Sequence, residues 1–175
     1  MIKRLFFILA CFSIVLTSSP VRAGDYQATI DVFRKAGESA GFFDSAYGYA
    51  VFPTIGKGAI GFGGAYGKGH VYEKGAYVGN CSMSQATIGF QLGGQAYSEF
   101  IFFHDKTALD DFTKGQFELD AQASAVALTA GASGDMPYRK GIAIVTMAKG
   151  GLMYEASVGG QKFSYKPAGK ETEKK

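Results

Sequence analysis

The sequence predicts an α+β fold that is mostly antiparallel β sheet, barrel- or sandwich-like, with an N-terminal helix and one short internal helix. From residue 47 onward bulky residues recur at every second position, as Ile88, Phe90 and Leu92 do, which is the period of a strand. Glycine pairs separate these alternating runs, as tight hairpin turns require. Apolar residues at helical spacing are confined to two short segments.

The N-terminal helix is predicted over residues 24–41. Asp25 can cap it, because a carboxylate accepts hydrogen bonds from the free amides of a first turn. Tyr26, Ile30 and Phe33 recur at helical spacing and give the helix an apolar stripe.

The β-rich body is predicted over residues 47–167. From Gly58 to Tyr66, interpreted as one strand, one face carries bulky side chains and the other only glycine and alanine. Small residues on packed faces let two backbones approach closely. Alternating alanines from Ala121 to Ala127 predict a further strand, with a helix as the alternative because alanine is the best helix former.

Four glycine-containing pairs are candidate turns between the strands. The repeated pattern G-G-Q-x-aromatic-S begins at Gly93 and again at Gly159, each time between alternating runs. Gly79-Asn80 and Gly150-Gly151 are further candidates. The sheet is therefore predicted to be antiparallel and rich in meanders.

The short internal helix has start and stop signals of its own. Asp105 is the predicted cap, and Ala108, Leu109 and Phe112 share one face. Gly115 follows the last turn, as glycine often does at helix ends.

The first 23 residues predict a secretory signal peptide. Two basic residues precede an apolar run from Leu5 to Leu16, which is shorter than the roughly 20 residues of a membrane span. The segment ending at Ala23 resembles a signal-peptidase site. Cleavage near Ala23 predicts export to the periplasm or an envelope-associated location, and lipoprotein processing at Cys11 is the alternative.

After cleavage a single domain is expected over residues 24–167, followed by a charged, disordered tail over residues 168–175. Lys3, Arg4 and Arg22 leave with the signal, so the 18 basic residues become 15 and equal the 15 acidic residues. Nucleic acid is therefore not an expected partner. Cys81 is left without a second cysteine and is predicted to be a small buried hydrophobe.

Gly56, Gly58 and Gly61 spell the G-x-G-x-x-G fingerprint of dinucleotide-binding proteins. That motif needs a following helix and a later acidic residue. The residues that follow are too rich in glycine to begin a helix, and no acid stands about 20 positions on. No nucleotide site is expected.

Catalytic patterns are missing from the sequence: it has no His-x-x-x-His pair and no G-x-S-x-G elbow. Glu99, His104 and Asp105 are the remaining candidates for a metal or acid–base site. The alternative for Asp105 is its role as a helix cap. We therefore expect no enzyme, no metal and no cofactor.

Three runs carry a family resemblance: GYAVFPTIGKGAIGFGGAYGKGHVYEKG, SQATIGFQLGGQAYSEFIFF and KGGLMYEASVGGQKFSYKP. In this order, between residues 47 and 167, they resemble the lipid-binding SYLF domain family, which is also described as an actin-binding domain in some fungal members. The resemblance implies a non-enzymatic module that associates with phospholipid or a membrane surface, with bacterial members exported to the envelope. Actin is not an expected partner of an exported protein.

Eight residues are candidate lipid contacts. Lys57 and Lys68 are predicted in glycine-rich turns, where backbone amides can also face an anion. The apolar candidates are Tyr26, Ile30 and Phe33, which could enter the membrane interface, and Phe100, Phe102 and Phe103, which could line an acyl pocket. The alternative for the helix residues is packing on the sheet, and for the phenylalanines a place in the core.

Two other function classes fit the same sequence. A small outer-membrane β-barrel is compatible with a signal peptide, alternating strands and many aromatic residues. A structural or protein-interaction module of the envelope, which would recognise its partner by edge-strand pairing, is the second.

Overall fold

Three helices and eight strands make up the part of the chain that this computed structural model describes, namely residues 23–60, 62–88, 93–115, 124–127, 138–149, 156–157 and 160–169. In chain order they are α1 (Ala23–Lys35), α2 (Gly37–Ser45), β1 (Gly48–Ile60), β2 (Phe62–Glu73), β3 (Ala76–Ile88), β4 (Gly93–Phe103), α3 (Lys106–Thr113), β5 (Ser124–Ala127), β6 (Ile142–Lys149), β7 (Ala156–Ser157) and β8 (Gln161–Pro167). The predicted α+β class is confirmed. Residues 1–22 of the predicted signal, Cys11 among them, the Gly150-Gly151 turn and the end of the tail lie outside the described residues.

The strands form one sheet in the order β7-β5-β6-β4-β1-β2-β3-β8. The six strands from β6 to β8 in this order are antiparallel to their neighbours, whereas β5 runs parallel to β6 and antiparallel to β7. β1, β2 and β3 form the predicted meander, and the chain then returns so that β4 pairs with β1. Because the end strands β7 and β8 are not hydrogen-bonded neighbours, the sheet is open.

The sheet is strongly curled, and its concave face holds one of two cores. Glu99 on β4 and Gln161 on β8 touch across this face although three strands lie between them in the sheet. The buried side chains of this core are Ala50, Phe52, Ile55, Ala65, Val71, Cys81, Met83, Tyr97, Ile101, Phe103, Ala108, Leu109, Phe112 and Ile144. Cys81 is a free, buried cysteine here, as predicted, and burial raises the pKa of its thiol.

Helix α3 closes one end of the concave core. Asp105 caps it by accepting a hydrogen bond from the amide of Ala108 at 2.9 Å, and Gly115 follows the helix with a φ of +71°. The ring of Phe112 lies 5.0 Å from that of Phe103. The predicted internal helix is therefore confirmed with its cap, its apolar face and its end.

The second core lies on the convex face of the sheet, under α1 and α2. Its buried side chains are Tyr26, Ile30, Phe33 and Phe42 from the helices, and Tyr49, Val51, Phe100, Phe102, Ala143 and Val145 from the strands. The two faces of the sheet are thus both covered over part of their area, which explains why β4 carries large apolar residues on both sides.

The N-terminal helix predicted over residues 24–41 is wrong in one respect, because it is two helices. Ala36 is extended, with a φ of −78° and a ψ of 111°, and separates α1 from α2. The hydroxyl of Ser39 donates to the carbonyl of Phe33 across this break. The break lets Phe33 and Phe42 both pack on the sheet, so tertiary packing overrides local helix propensity.

The turn predicted at Gly79-Asn80 is also wrong. Gly79 and Asn80 lie within β3, where they pair with Val71 and His70 of β2. The hairpin turn is instead at Lys74 and Gly75, whose φ angles of 49° and 82° are both positive, as a type I′ turn requires. Lysine is not a preferred residue at such a position, which is why the sequence pattern missed this turn.

The segment predicted as one strand from Gly58 to Tyr66 contains a chain reversal. β1 ends at Ile60 and β2 begins at Phe62, and these two residues are paired. The glycines on either side of this reversal differ in how much space a side chain would have. A side chain at Gly69 would meet Phe52 and Cys81, whereas a Cβ at Gly56 would meet nothing within 4 Å.

This difference gives a direct test of close packing by glycine. Gly69→Ala places a Cβ 2.7 Å from both the Phe52 ring and the Cys81 sulfur, so we expect it to lower the free energy of unfolding by about 1–3 kcal/mol. Gly56→Ala is the matched control and should leave stability unchanged or slightly higher. Urea unfolding of both variants measures this, and equal effects would contradict the packing explanation.

Candidate functional site

The three predicted lipid contacts on α1 are buried against the sheet. Ile30 and Phe33 are 2% and 0% exposed, and the Phe33 ring centroid lies 4.4 Å from that of Phe100. The ring of Tyr26 stacks on His70 at 3.5 Å, and burial raises the pKa of its hydroxyl to about 12. In this conformation the stripe faces the sheet and is not available to a membrane.

The three phenylalanines do not line one pocket. Phe100 and Phe102 lie on the convex face under the helices, whereas Phe103 lies in the concave core beside Phe112. All three side chains are fully buried. Alternation along β4 separates them, because successive side chains of a strand point to opposite faces.

Lys57 and Lys68 were predicted to lie in turns. They lie inside strands β1 and β2 instead. They also lie on opposite faces of the sheet. Lys57 pairs with Ala65, which belongs to the concave core, and Lys68 pairs with Thr54 and Ser82 on the convex side. A flat surface cannot contact both lysines at once.

A part of the convex face that the helices leave uncovered forms the candidate site, which we call the basic face. Directly paired residues of neighbouring strands share a face, so the register defines its members. They are Thr54, Gly56, Tyr66, Lys68, Asn80, Ser82, Ser84, Lys149, Lys162, Ser164 and Lys166.

The basic face carries four lysines and no carboxylate among these residues. All four lysines are exposed. The ammonium of Lys149 donates to the hydroxyl of Thr54 at 2.8 Å, and the hydroxyls of Ser82 and Ser164 lie 2.7 Å apart. The face is therefore a cationic surface lined with hydroxyl groups.

Two glycines leave the centre of the basic face free of bulky side chains. Gly56 is exposed and its neighbour along the same side, Gly58, is exposed too, with open space above both. Tyr66 stands beside them and is 54% exposed, which makes it one of the few large exposed apolar side chains among the described residues. A partner can thus approach the backbone closely here and contact an aromatic ring.

A buried polar cluster lies at a second place, inside the concave core. The side-chain amide of Gln161 donates to Oε2 of Glu99 at 3.1 Å and also hydrogen-bonds to the hydroxyl of Tyr97. Glu99 is completely buried, and this burial raises the pKa of its carboxyl to about 7. Oε1 of Glu99, Oε1 of Gln161 and Oγ1 of Thr146, which pairs with Glu99, have no hydrogen-bond partner within the described residues.

The candidate group of Glu99, His104 and Asp105 is not brought together. Glu99 lies in the core, whereas His104 and Asp105 have side chains that are 58% and 53% exposed and stand 3.7 Å apart at the start of α3. Where the structure describes the chain, no group of three histidine, cysteine, aspartate or glutamate residues could hold a metal ion. The sequence pointed to Glu99 but not to Gln161, which becomes its partner only through the curl of the sheet.

No helix within the described ranges is both long enough and apolar enough to cross a bilayer.

Residues 84–169 match a family described as "Ysc84: Las17-binding protein actin regulator". Beta cell expansion factor A of Aeromonas veronii is 30% identical over 145 residues, which cover 78% of this chain and 52% of that protein. The chain belongs to the SYLF family. It spans about half the length of the curated relative that it matches.

The SYLF match includes both ends of the buried polar cluster, since Glu99 and Gln161 lie within residues 84–169. Three lysines of the basic face, Lys149, Lys162 and Lys166, also lie within it. Lys68 and the N-terminal helices precede it. The matched segment therefore contributes residues to both the buried polar cluster and the basic face.

Proposed function

We propose that this SYLF chain is an exported, non-enzymatic module that binds anionic membrane lipid through its basic face. The observation that carries the proposal is the part of the convex face that α1 and α2 leave uncovered, which holds four lysines and Tyr66 and, among the described residues that form it, no carboxylate. SYLF membership is consistent with lipid binding. Export is supported by the signal-like residues 1–23, and a non-enzymatic role by the lack of catalytic sequence patterns.

The lysines of the basic face are placed so that they can contact an anionic membrane surface together. Each lysine near an anionic membrane surface contributes about 1 kcal/mol, and the attraction fades within a Debye length of about 8–10 Å. Lys68 stands on β2, and Lys162 and Lys166 stand on β8, with only β3 between the two strands, so one surface can meet all three lysines. Serine hydroxyls beside them can donate to phosphate oxygens.

Tyr66 adds an apolar component to this surface. Its ring is amphipathic, with an apolar body and a hydroxyl at the tip, and such rings favour the boundary between headgroups and hydrocarbon. Because Gly56 leaves the space beside it open, the ring can lie against lipid without steric conflict. We therefore propose binding at the membrane surface, without insertion of α1.

Vesicle co-sedimentation tests this proposal with two matched double variants. Lys68→Gln/Lys162→Gln removes two charges from the basic face and should weaken binding to vesicles that contain phosphatidylglycerol about 30-fold, which corresponds to about 2 kcal/mol. Lys57→Gln/Lys74→Gln removes the same charge elsewhere: Lys57 lies on the concave side and Lys74 in the β2–β3 turn. This control should bind like the wild type.

The same experiment includes vesicles of phosphatidylcholine alone and a salt series. Wild-type binding should need the anionic lipid and should weaken as salt rises. Equal weakening by both double variants would show that net charge acts without a defined face. A folded protein that binds neither kind of vesicle would overturn the proposal.

A further inference from the structure

The hydrogen bond between Glu99 and Gln161 joins two strands that are far apart in the sheet. β4 and β8 are separated by β1, β2 and β3, yet their side chains meet at 3.1 Å over the concave face. Both residues are buried, at 0% and 1% exposure. The contact therefore spans the curl of the sheet from one side to the other.

The two strands that it joins are held differently. β4 pairs with β1 on one side and with β6 on the other. β8 pairs with β3 over residues 161–167 and is the end strand of the sheet. Separating β8 therefore breaks one short ladder of backbone hydrogen bonds, whereas moving β4 would break two. β8 is the element that can move at the lower cost.

The environment of Glu99 offers little to stabilise a negative charge. The titratable groups that face it are Cys81 on β3 and Tyr97 on its own strand, and burial raises the pKa of both, so both stay neutral. The facing residues of β1, β6 and β8 are Phe52, Thr146 and Gln161, none of which carries a charge.

Charged groups on neighbouring elements stand away from Glu99. Lys57 of β1 points to the same side of the sheet but pairs with Gln95, four residues before Glu99. Helix α3 presents Leu109 and Phe112 to this core. An ionised Glu99 would have the amide of Gln161 as its hydrogen-bond donor and would otherwise be desolvated, which is costly for a buried charge.

A proton on Glu99 changes this balance. A carboxylic acid has an O–H that can donate, and Oγ1 of Thr146 and Oε1 of Gln161 are buried oxygens without a partner among the described residues. A protonated Glu99 can still accept the hydrogen bond from Gln161 and no longer carries a buried charge. Protonation therefore removes the desolvation cost of the carboxylate while the contact with Gln161 remains.

We propose that the Glu99–Gln161 contact is a proton-controlled latch, which holds β8 against the concave core while Glu99 is protonated and lets β8 open when Glu99 ionises. Opening would give water access to the carboxylate and would expose Phe163 and Tyr165, the partly buried aromatic residues of β8. The latch does not rest on the lipid-binding proposal, because the observations that support it concern groups inside the sheet. The burial that raises the pKa of Glu99 to about 7 places the transition near neutral pH.

Hydrogen–deuterium exchange of the full chain, measured as a function of pH, tests the latch. The reported quantity is the protection factor of the β8 amides, corrected for the intrinsic exchange rate and compared with the amides of β2. Since an exposed carboxyl loses its proton near pH 4.5 and Glu99 near 7, β8 protection should fall roughly 70-fold from about pH 5 to 8. Protection of β2, which is limited by unfolding of the whole sheet, should be higher than that of β8 at every pH.

Two carboxyl variants separate the latch from general effects of pH. Glu99→Gln keeps a side chain that accepts from Gln161 but cannot ionise, so β8 protection should be independent of pH. Asp105→Asn removes an exposed carboxylate and keeps a good helix cap, so it should behave like the wild type. If Glu99→Gln does not fold, Glu99→Met serves the same purpose.

Three results would overturn the latch. The first is β8 protection in the wild type that does not change with pH. The second is a pH dependence that persists in the folded Glu99 variant. The third is β8 protection that equals β2 protection at every pH, which would mean that β8 opens only when the whole sheet unfolds.

Discussion

Between about pH 4.5 and 7 the free energy of unfolding of the wild-type chain should fall by about 3 kcal/mol, and Glu99→Gln should abolish this fall. The sign follows from the raised pKa of Glu99. Below pH 4.5 the carboxyl is protonated in the folded and the unfolded chain, so the stability is fully present. As pH rises toward 7 the unfolded chain releases the proton first, and stability is lost until the folded state also ionises.

Urea unfolding at a series of pH values measures this effect as the difference between wild type and variant. The difference is needed because other carboxyls titrate as well. The pKa values of Asp105 and Asp110 are lowered, by the amide of Ala108 and by Lys106 respectively, so their contributions are lost at more acidic pH. Parallel pH profiles of the two proteins would contradict the assignment.

Phe100→Ala should lower the free energy of unfolding by about 3–5 kcal/mol, because it removes a fully buried ring from the convex core. The ring contacts Phe33 of α1, Phe43 of α2 and Tyr49 of β1, at centroid distances of 4.4, 5.4 and 5.7 Å. Both helices therefore lose part of their docking surface. Urea unfolding followed by circular dichroism measures the loss.

Tyr66→Ala is the matched control for Phe100→Ala. Tyr66 is a large aromatic residue of the same sheet, but it is 54% exposed and does not belong to the convex core under α1 and α2. Its removal should change stability by less than about 1 kcal/mol, while weakening binding to anionic vesicles. The opposite pattern, with stable Phe100→Ala losing lipid binding, would restore Phe100 as a lipid contact.

Local signals predicted the elements that depend on local structure. The internal helix was predicted in full because its cap, its apolar face and its terminal glycine are all encoded between Asp105 and Gly115. An antiparallel, meander-rich sheet was predicted from alternation and glycine spacing, but both turns of the β1-β2-β3 meander were misplaced. The break at Ala36 was missed, because it depends on how Phe33 and Phe42 pack against a sheet that comes later in the chain.

The candidate site could be predicted only in part. One irregularity in β1 explains why Lys57 lies on a different face from the one that simple alternation predicts. The pairing of β1 with both neighbours shifts between Val51 and Ile55, next to Pro53. Such a bulge reverses which face the following side chains point to. Lys57 therefore lies on the concave side although simple alternation from Val51 would place it on the convex side with Lys68. Gln161 was missed because no local pattern encodes the curl that brings it to Glu99.

The strand β8 connects the interior of the protein with its exterior through adjacent residues. Gln161 points inward to Glu99, and Lys162 points outward into the basic face. A partner that holds Lys162 and Lys166 in place also restricts the strand that carries Gln161. By thermodynamic linkage, occupation of the outer surface and proton uptake inside must then influence each other to the same extent. Through this one edge strand, the affinity of the protein for the surface that it binds would thus depend on the local pH.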